Sequence, residues 1–312
     1  MDWQQKEVER VKLEGLIRKR LLGSQGLTDR LARYNGSPAI FFGDAPDDNQ
    51  KGWSSRETMP RISFSYDTLA DKERKSAGSL YVGIYCRNGM DGDAVFPEEI
   101  APLVIRLLKD VIFSPDDFSV FCCTWNRTDS YSVKERTGSD SAYRNNSVIG
   151  CDVAFDILEY PQQASTDPDP VVALNRLIAD EAPEALVLHH HKIEGFEETS
   201  AERPIVYVRN GGHVLDRQTN TVCWMRGSLS IHLLCPDSGI RMKMVTALAN
   251  RIALAGEVAM LDGSPMFVRA IEGNNSADYL TVGQVRLETA YGVLRTKPIG
   301  PVLRSAQISE RR

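Results

Sequence analysis

Gly227-Ser228-Leu229-Ser230-Ile231-His232-Leu233-Leu234-Cys235 decides the fold, because the chain has carried a similar run before, Gly78-Ser79-Leu80-Tyr81-Val82-Gly83-Ile84-Tyr85-Cys86. The offset is the same at both ends: 229 − 80 = 149 and 235 − 86 = 149. Each run places apolar residues two apart, the period of a half-buried strand. Each is followed by a polar turn with glycine, an amphipathic helix of about four turns and two further strands. Self-similarity at a fixed interval is the mark of a repeated structural unit. The expectation is an α+β chain of two tandem copies, each a mixed, mainly antiparallel sheet packed against helices.

In the first copy, residues 6–22 carry Val8, Val11, Leu13, Leu16, Ile17, Leu21 and Leu22 as a helical stripe, with Gly23 as its C-cap. A short second helix is expected within 27–34 and a brief strand at 39–42. Residues 43–60 are polar and read as an exposed loop. Ile62, Phe64 and Tyr66 alternate with polar neighbours and should form a hairpin with 80–86. Pro97 opens a helix with Glu98 and Glu99 in its first turn, where negative charge suits the dipole. That helix should run through 98–112, with Val111 still on its apolar face. Strands follow at 118–125 and 148–157. Between them, 126–147 is polar and longer than the usual connection of ~4–6 residues, so it reads as a contact loop.

The second copy repeats the order: helix 171–179, strands 185–189 and 204–208, a turn at Gly211-Gly212, strand 222–234, helix 242–255, strands 266–271 and 282–290. The expected divisions are a first module over 1–160, a proline-containing linker over 161–170, a second module over 171–295 and an extended arm over 296–312.

A chain of 312 residues, 42% hydrophobic and 25% charged, suits two globular units. A net charge of −5 offers no broad basic footprint for nucleic acid. No apolar run reaches the ~18 residues that span a bilayer, and the charged first twenty residues lack an apolar signal core. The six cysteines show no C-x-x-C spacing and sit in apolar strand patterns, so they read as buried thiols in a reducing cytoplasm.

Chemistry is hard to find. His189-His190-His191, read as a strand end, would alternate between faces, and no carboxylate or cysteine stands at a ligand spacing beside it. His213, read in a turn, and His232, in a strand, read as structural. Neither G-x-x-x-x-G-K-[ST] nor G-x-G-x-x-G occurs. Ser79 and Ser228 recur without a recurring histidine to act as base. Asp91, Asp93, Glu98 and Glu99 cluster at a helix start and read as capping and solvation. No catalytic, cofactor or metal residue is expected. The residues expected to touch a protein partner are Arg127, Tyr131, Lys134, Arg136, Tyr143 and Arg144 in the 126–147 loop, with Arg304 and Arg311 in the arm.

The order of each copy, carried by the helix at 6–22, Pro60-Arg61-Ile62-Ser63-Phe64-Ser65-Tyr66, the 80–86 strand, the 98–112 helix and their counterparts over 171–294, resembles the tail terminator and tail-completion proteins of long-tailed bacteriophages. The family's members are usually single modules, whereas two are fused here. The resemblance implies a structural role without enzymatic activity or cofactor: a ring-forming homo-oligomer, trimer or hexamer, that completes the tail tube and meets tube or head-connector proteins. It implies a location in the host cytoplasm during assembly and then in the virion tail or neck. Two other readings stand beside it, a hydrolase with a scattered site and a tandem ferredoxin-like ligand-binding regulator.

Overall fold

The computed structural model describes residues 3–54, 58–67, 76–87, 95–115, 120–134, 147–163 and 167–295. The first half contains α1 (Trp3–Leu22), α2 (Gln25–Thr28), a small ribbon of β1 (Arg33–Tyr34) and β2 (Ser37–Pro38), then β3 (Ile40–Phe42), β4 (Arg61–Asp67) and β5 (Gly78–Arg87). It continues through α3 (Pro97–Leu108), β6 (Val111–Ser114), β7 (Phe121–Lys134) and β8 (Ser147–Glu159). The second half contains α4 (Pro170–Glu181), β9 (Leu186–Val187), β10 (Gly195–Glu198), β11 (Ile205–Gln218) and β12 (Val222–Leu234). It ends with α5 (Ser238–Ala255), β13 (Glu257–Ala259), β14 (Pro265–Gly273) and β15 (Val285–Leu294). Strand, at 46%, outweighs helix, at 23%.

Two sheets carry the fold, ordered β10-β6-β7-β8-β5-β4-β3 and β13-β14-β15-β12-β11-β9. With β10 set aside, they match strand for strand. The pairs β3–β4 and β9–β11 are parallel. Every other neighbouring pair in the two sheets is antiparallel. The registers correspond too. Leu80 stands opposite Phe155 as Leu229 stands opposite Leu287, and Val82 opposite Val153 as Ile231 opposite Val285. All of these side chains are buried.

Alternation along the strands divides the core into three. One face of the first sheet sends Ile84, Val111, Phe113 and Phe155 toward Ile17 and Leu21 of α1 and Val104 and Leu108 of α3. One face of the second sends Val206, Val208, Ile231 and Leu287 toward Leu174 and Ile178 of α4 and Leu248 and Ile252 of α5. The residues between them in sequence point the other way, as the two-residue period requires. Ile112, Cys122 and Leu158 of the first sheet thereby meet Ile205, Tyr207 and Leu234 of the second in a shared core. The layers run helix, sheet, sheet, helix. Strand exchange reinforces the joint: β10 leaves the second half and pairs with β6 at the edge of the first sheet.

Several expectations change. The helix expected at 98–112 stops at Leu108: Lys109 leaves the helical region and Asp110 takes φ 57°, which turns the chain into β6. Val111 is therefore a strand residue. The short helix expected within 27–34 ends at Thr28. Gly211-Gly212 makes no chain reversal, since β11 runs through it with a bulge between Asn210 and Gly212, and His213 lies on that strand. His189 to His191 form a turn, with His189 at φ 63°. The expected 126–147 loop begins and ends as a ladder, with β7 paired to β8 as far as Lys134 opposite Ser147, and 135–146 lie outside the described residues. Of the 161–170 linker, Pro170 already belongs to α4, whose N-cap Asp169 accepts hydrogen bonds from Val171 N at 2.9 Å and Val172 N at 3.0 Å. Such a cap stabilises a helix by about 1 kcal/mol.

Candidate functional site

On the side of the first sheet away from its helices, the register aligns Arg127, Asp129 and Tyr131 of β7 with Ala154, Asp152 and Gly150 of β8. Tyr131 lies over Gly150, where an added Cβ would sit 2.6 Å from the Ile84 carbonyl oxygen and 2.8 Å from the tyrosine ring. Its ring meets Tyr85 edge-on at 6.3 Å. Burial pushes the Tyr131 phenol above its ordinary range, so it stays protonated. Arg127 is exposed and pairs with Asp129 at 2.7 Å. Burial first, and Asp129 directly opposite second, raise the Asp152 carboxyl. Further along, the Arg61 guanidinium lies 5.9 Å from the Tyr85 ring centre and 6.0 Å from that of Trp53, and pairs with Asp48 at 2.5 Å. Tyr81 is 41% exposed. Aromatic rings, arginines and carboxylates share this face.

The corresponding face of the second sheet repeats the theme. Trp224 and Phe267 lie 6.3 Å apart, the Arg217 guanidinium covers Trp224 at 5.2 Å, and that of Arg269 covers Phe267 at 5.9 Å. Both arginines are exposed and both rings half-buried. The β11–β12 hairpin extends beyond this patch, with Val214 60% and Leu215 54% exposed.

The joint between the sheets holds the remaining polar cluster. Tyr160 and Tyr207 stack edge-on at 5.0 Å, with His232 at 6.2 and 5.6 Å and His189 6.0 Å from Tyr207. The Tyr160 hydroxyl donates to the Leu280 carbonyl, and that of Tyr207 donates to Pro161 while accepting from Gln163. Residues 161–163 are thus fastened to the second sheet. Burial lowers the His232 pKa to about 4, with Arg209 adding to the shift, and lowers that of His189. Both rings are neutral near pH 7. Asp110 and Tyr279 tie the halves at a second point, the tyrosine hydroxyl donating to the carboxylate at 3.2 Å.

Beside the joint, Ser114, Val120, Gln162 and residues 189–193 line a cleft of about 240 Å³. Two of its three histidines are engaged with backbone: His189 Nε2 lies 2.9 Å from the Tyr160 carbonyl, and His191 Nδ1 accepts from Val187 N at 3.0 Å. Among the described residues no group of three histidine, cysteine or acidic side chains could hold a metal ion. The free cysteines are buried except Cys223, which is half-buried. Burial pushes the Cys86 and Cys123 thiols up to about 12, so neither is a ready nucleophile.

Of the residues read from sequence as partner contacts, the structure brings Arg127 and Tyr131 onto one face, and Lys134 ends the same strand. They belong to a sheet where a loop was expected. Arg136, Tyr143, Arg144, Arg304 and Arg311 lie outside the described residues. The reading missed Trp53, Arg61 and Tyr85, and the Arg217–Trp224–Phe267–Arg269 row. Trp224 and Arg226 alternate at period two in β12, but only strand pairing brings Arg217 of β11 and Phe267 of β14 beside them. No family model matches the chain, and neither does any curated protein.

Proposed function

We propose that the chain is a structural protein of a long-tailed bacteriophage, made of two fused copies of a tail-terminator-like module. It caps or completes the tail tube and joins it to the head or connector, acting as a ring of three or six chains. The observation that carries this reading is the shared strand order and register of the two sheets. A duplicated module joined by a heterologous contact is suited to rings, because repeating such a contact closes on itself when the rotation permits. The aromatic and arginine-bearing faces supply contact surface on both modules. No described helix is long and apolar enough to cross a membrane.

Labelling the chain in purified virions tests the assignment. Label concentrated at the junction of tail and head is the expected result. Virions without the protein, together with a metabolite retained by the purified chain at the 189–193 cleft, favour the ligand-binding alternative.

A further inference from the structure

The contact that joins the halves has a counterpart at each end of the molecule. In the joint, the second half extends its β9–β11 connection as β10 and adds it to β6, the edge of the first sheet. The equivalent edge of the second sheet is β13, which pairs with β14 alone among the described strands. The connection equivalent to β9–β11 is β3–β4, whose residues 43–51 precede Arg61 as β10 precedes Ile205, while 52–54 lie against 33–35 of the same copy.

The faces beside these elements correspond in the same way. The joint buries Ile112, Cys122 and Leu158 against Ile205, Tyr207 and Leu234. By strand register, the counterparts of the first three are Glu257, Phe267 and Ala290, which stand in one row across β13, β14 and β15. The counterparts of the last three are Arg61, Ser63 and Tyr85, with Arg61 opposite Tyr85 and Ser63 opposite Gly83 across β4 and β5. Phe267, Arg61 and Tyr85 are half-buried and Glu257 is exposed.

Charge agrees with this geometry. In the joint the donated strand is acidic: Glu198 pairs with Arg20 of the first half. The counterpart donor carries exposed Asp44 and Asp47, with Asp48 paired to Arg61 of its own copy, and exposed Arg269 lies on β14 beside the receiving edge, with exposed Arg217 further along the same face on β11.

We infer that the chain binds a second copy of itself head to tail by repeating its internal joint: the β13 edge and the Trp224–Phe267 face of one copy receive the 43–51 segment and the Trp53–Tyr85 face of the next. The inference rests on the two-module reading above. It identifies the surfaces through which subunits meet and makes intermolecular and intramolecular contacts variants of one interface.

Sedimentation of the full chain tests it, using exposed residues whose exchange leaves the cores intact. Reversing Asp44→Lys with Asp47→Lys, or Arg217→Glu with Arg269→Glu, should weaken self-association about 10-fold or more, since like charges across an interface are repulsive. Mixing the two double variants should restore it, because each donor then meets a receiver of opposite charge. A chain with all four reversals should associate as the parent does. Circular dichroism verifies that every variant is folded. A parent chain that stays monomeric overturns the inference, as does association indifferent to all four reversals. In the second case rings persist and the assembly role stands with a different interface. In the first, labelling of virions decides that role independently.

Discussion

His232 is fully buried between the sheets, against Tyr160 and Tyr207, with Nδ1 3.2 Å from the Tyr279 carbonyl. Its folded pKa of about 4 lies below the unfolded value near 6.5, so between these pH values the unfolded chain binds the extra proton. The neutral ring's contribution is intact above pH ~6.5 and lost as the pH falls to ~4, a difference of about 3 kcal/mol at most. Denaturant unfolding at neutral and acid pH should show stability falling through this window, and His232→Gln should flatten the fall. An unchanged slope in the variant assigns the acid sensitivity to other groups. Gly150 provides a second residue-scale test. Only a bare Cα lets Tyr131 lie over β8, because a Cβ meets both the Ile84 carbonyl and the ring. Gly150→Ala should cost about 1–3 kcal/mol in the unfolding midpoint, the usual range for overpacking. An unchanged midpoint contradicts the close approach.

At the scale of elements, the β7–β8 hairpin shows what a sequence can hide. Residues 126–134 are polar on both sides, with Arg127, Asp129 and Tyr131 alternating with Thr128, Ser130 and Ser132. The apolar alternation that announces a strand is absent, and the ladder to β8 rests on backbone hydrogen bonds that no side-chain pattern reports. β6 was hidden differently, since Val111 and Ile112 continue the helical stripe of α3 until Asp110 breaks it. β4, β5, β8 and β12 were legible because their alternating residues fill two of the cores. The aromatic and arginine-bearing face was half-legible: Arg127 and Tyr131 share a strand, while Arg61, Tyr85 and Trp53 come together only through tertiary pairing. It follows that deleting 127–146 removes the β7 partners of Val148–Ala154 in β8 and should lower the melting temperature sharply. A shortening confined to 135–146 spares every described ladder pair and should not. Equal melting of both proteins contradicts the assigned register. β10 offers another test at this scale. Phe196 packs on Phe113 at 6.3 Å beneath the Arg20 guanidinium at 5.1 Å. Phe196→Ala should destabilise the joint by about 2–4 kcal/mol, with the β10 and β6 amides exchanging faster than those of β12. Uniform exchange would detach β10 from the joint.

At the scale of the molecule, the shared core makes the halves a cooperative pair even though each has its own helices and sheet. Ile112, Cys122, Leu158, Ile205, Tyr207 and Leu234 are all buried in the joint, and separating the halves would expose that surface together with the edge of β6. The chain should therefore unfold in one transition, although its length would ordinarily suit two units. The same joint, taken one step further at each end, gives the assembly account its geometry. Electron microscopy of the purified, concentrated protein tests that account most directly. The account expects closed rings with an even number of modules, in which every contact between neighbouring chains repeats the β10–β6 joint. Monomers, or pairs meeting through a symmetric two-fold contact, would contradict it.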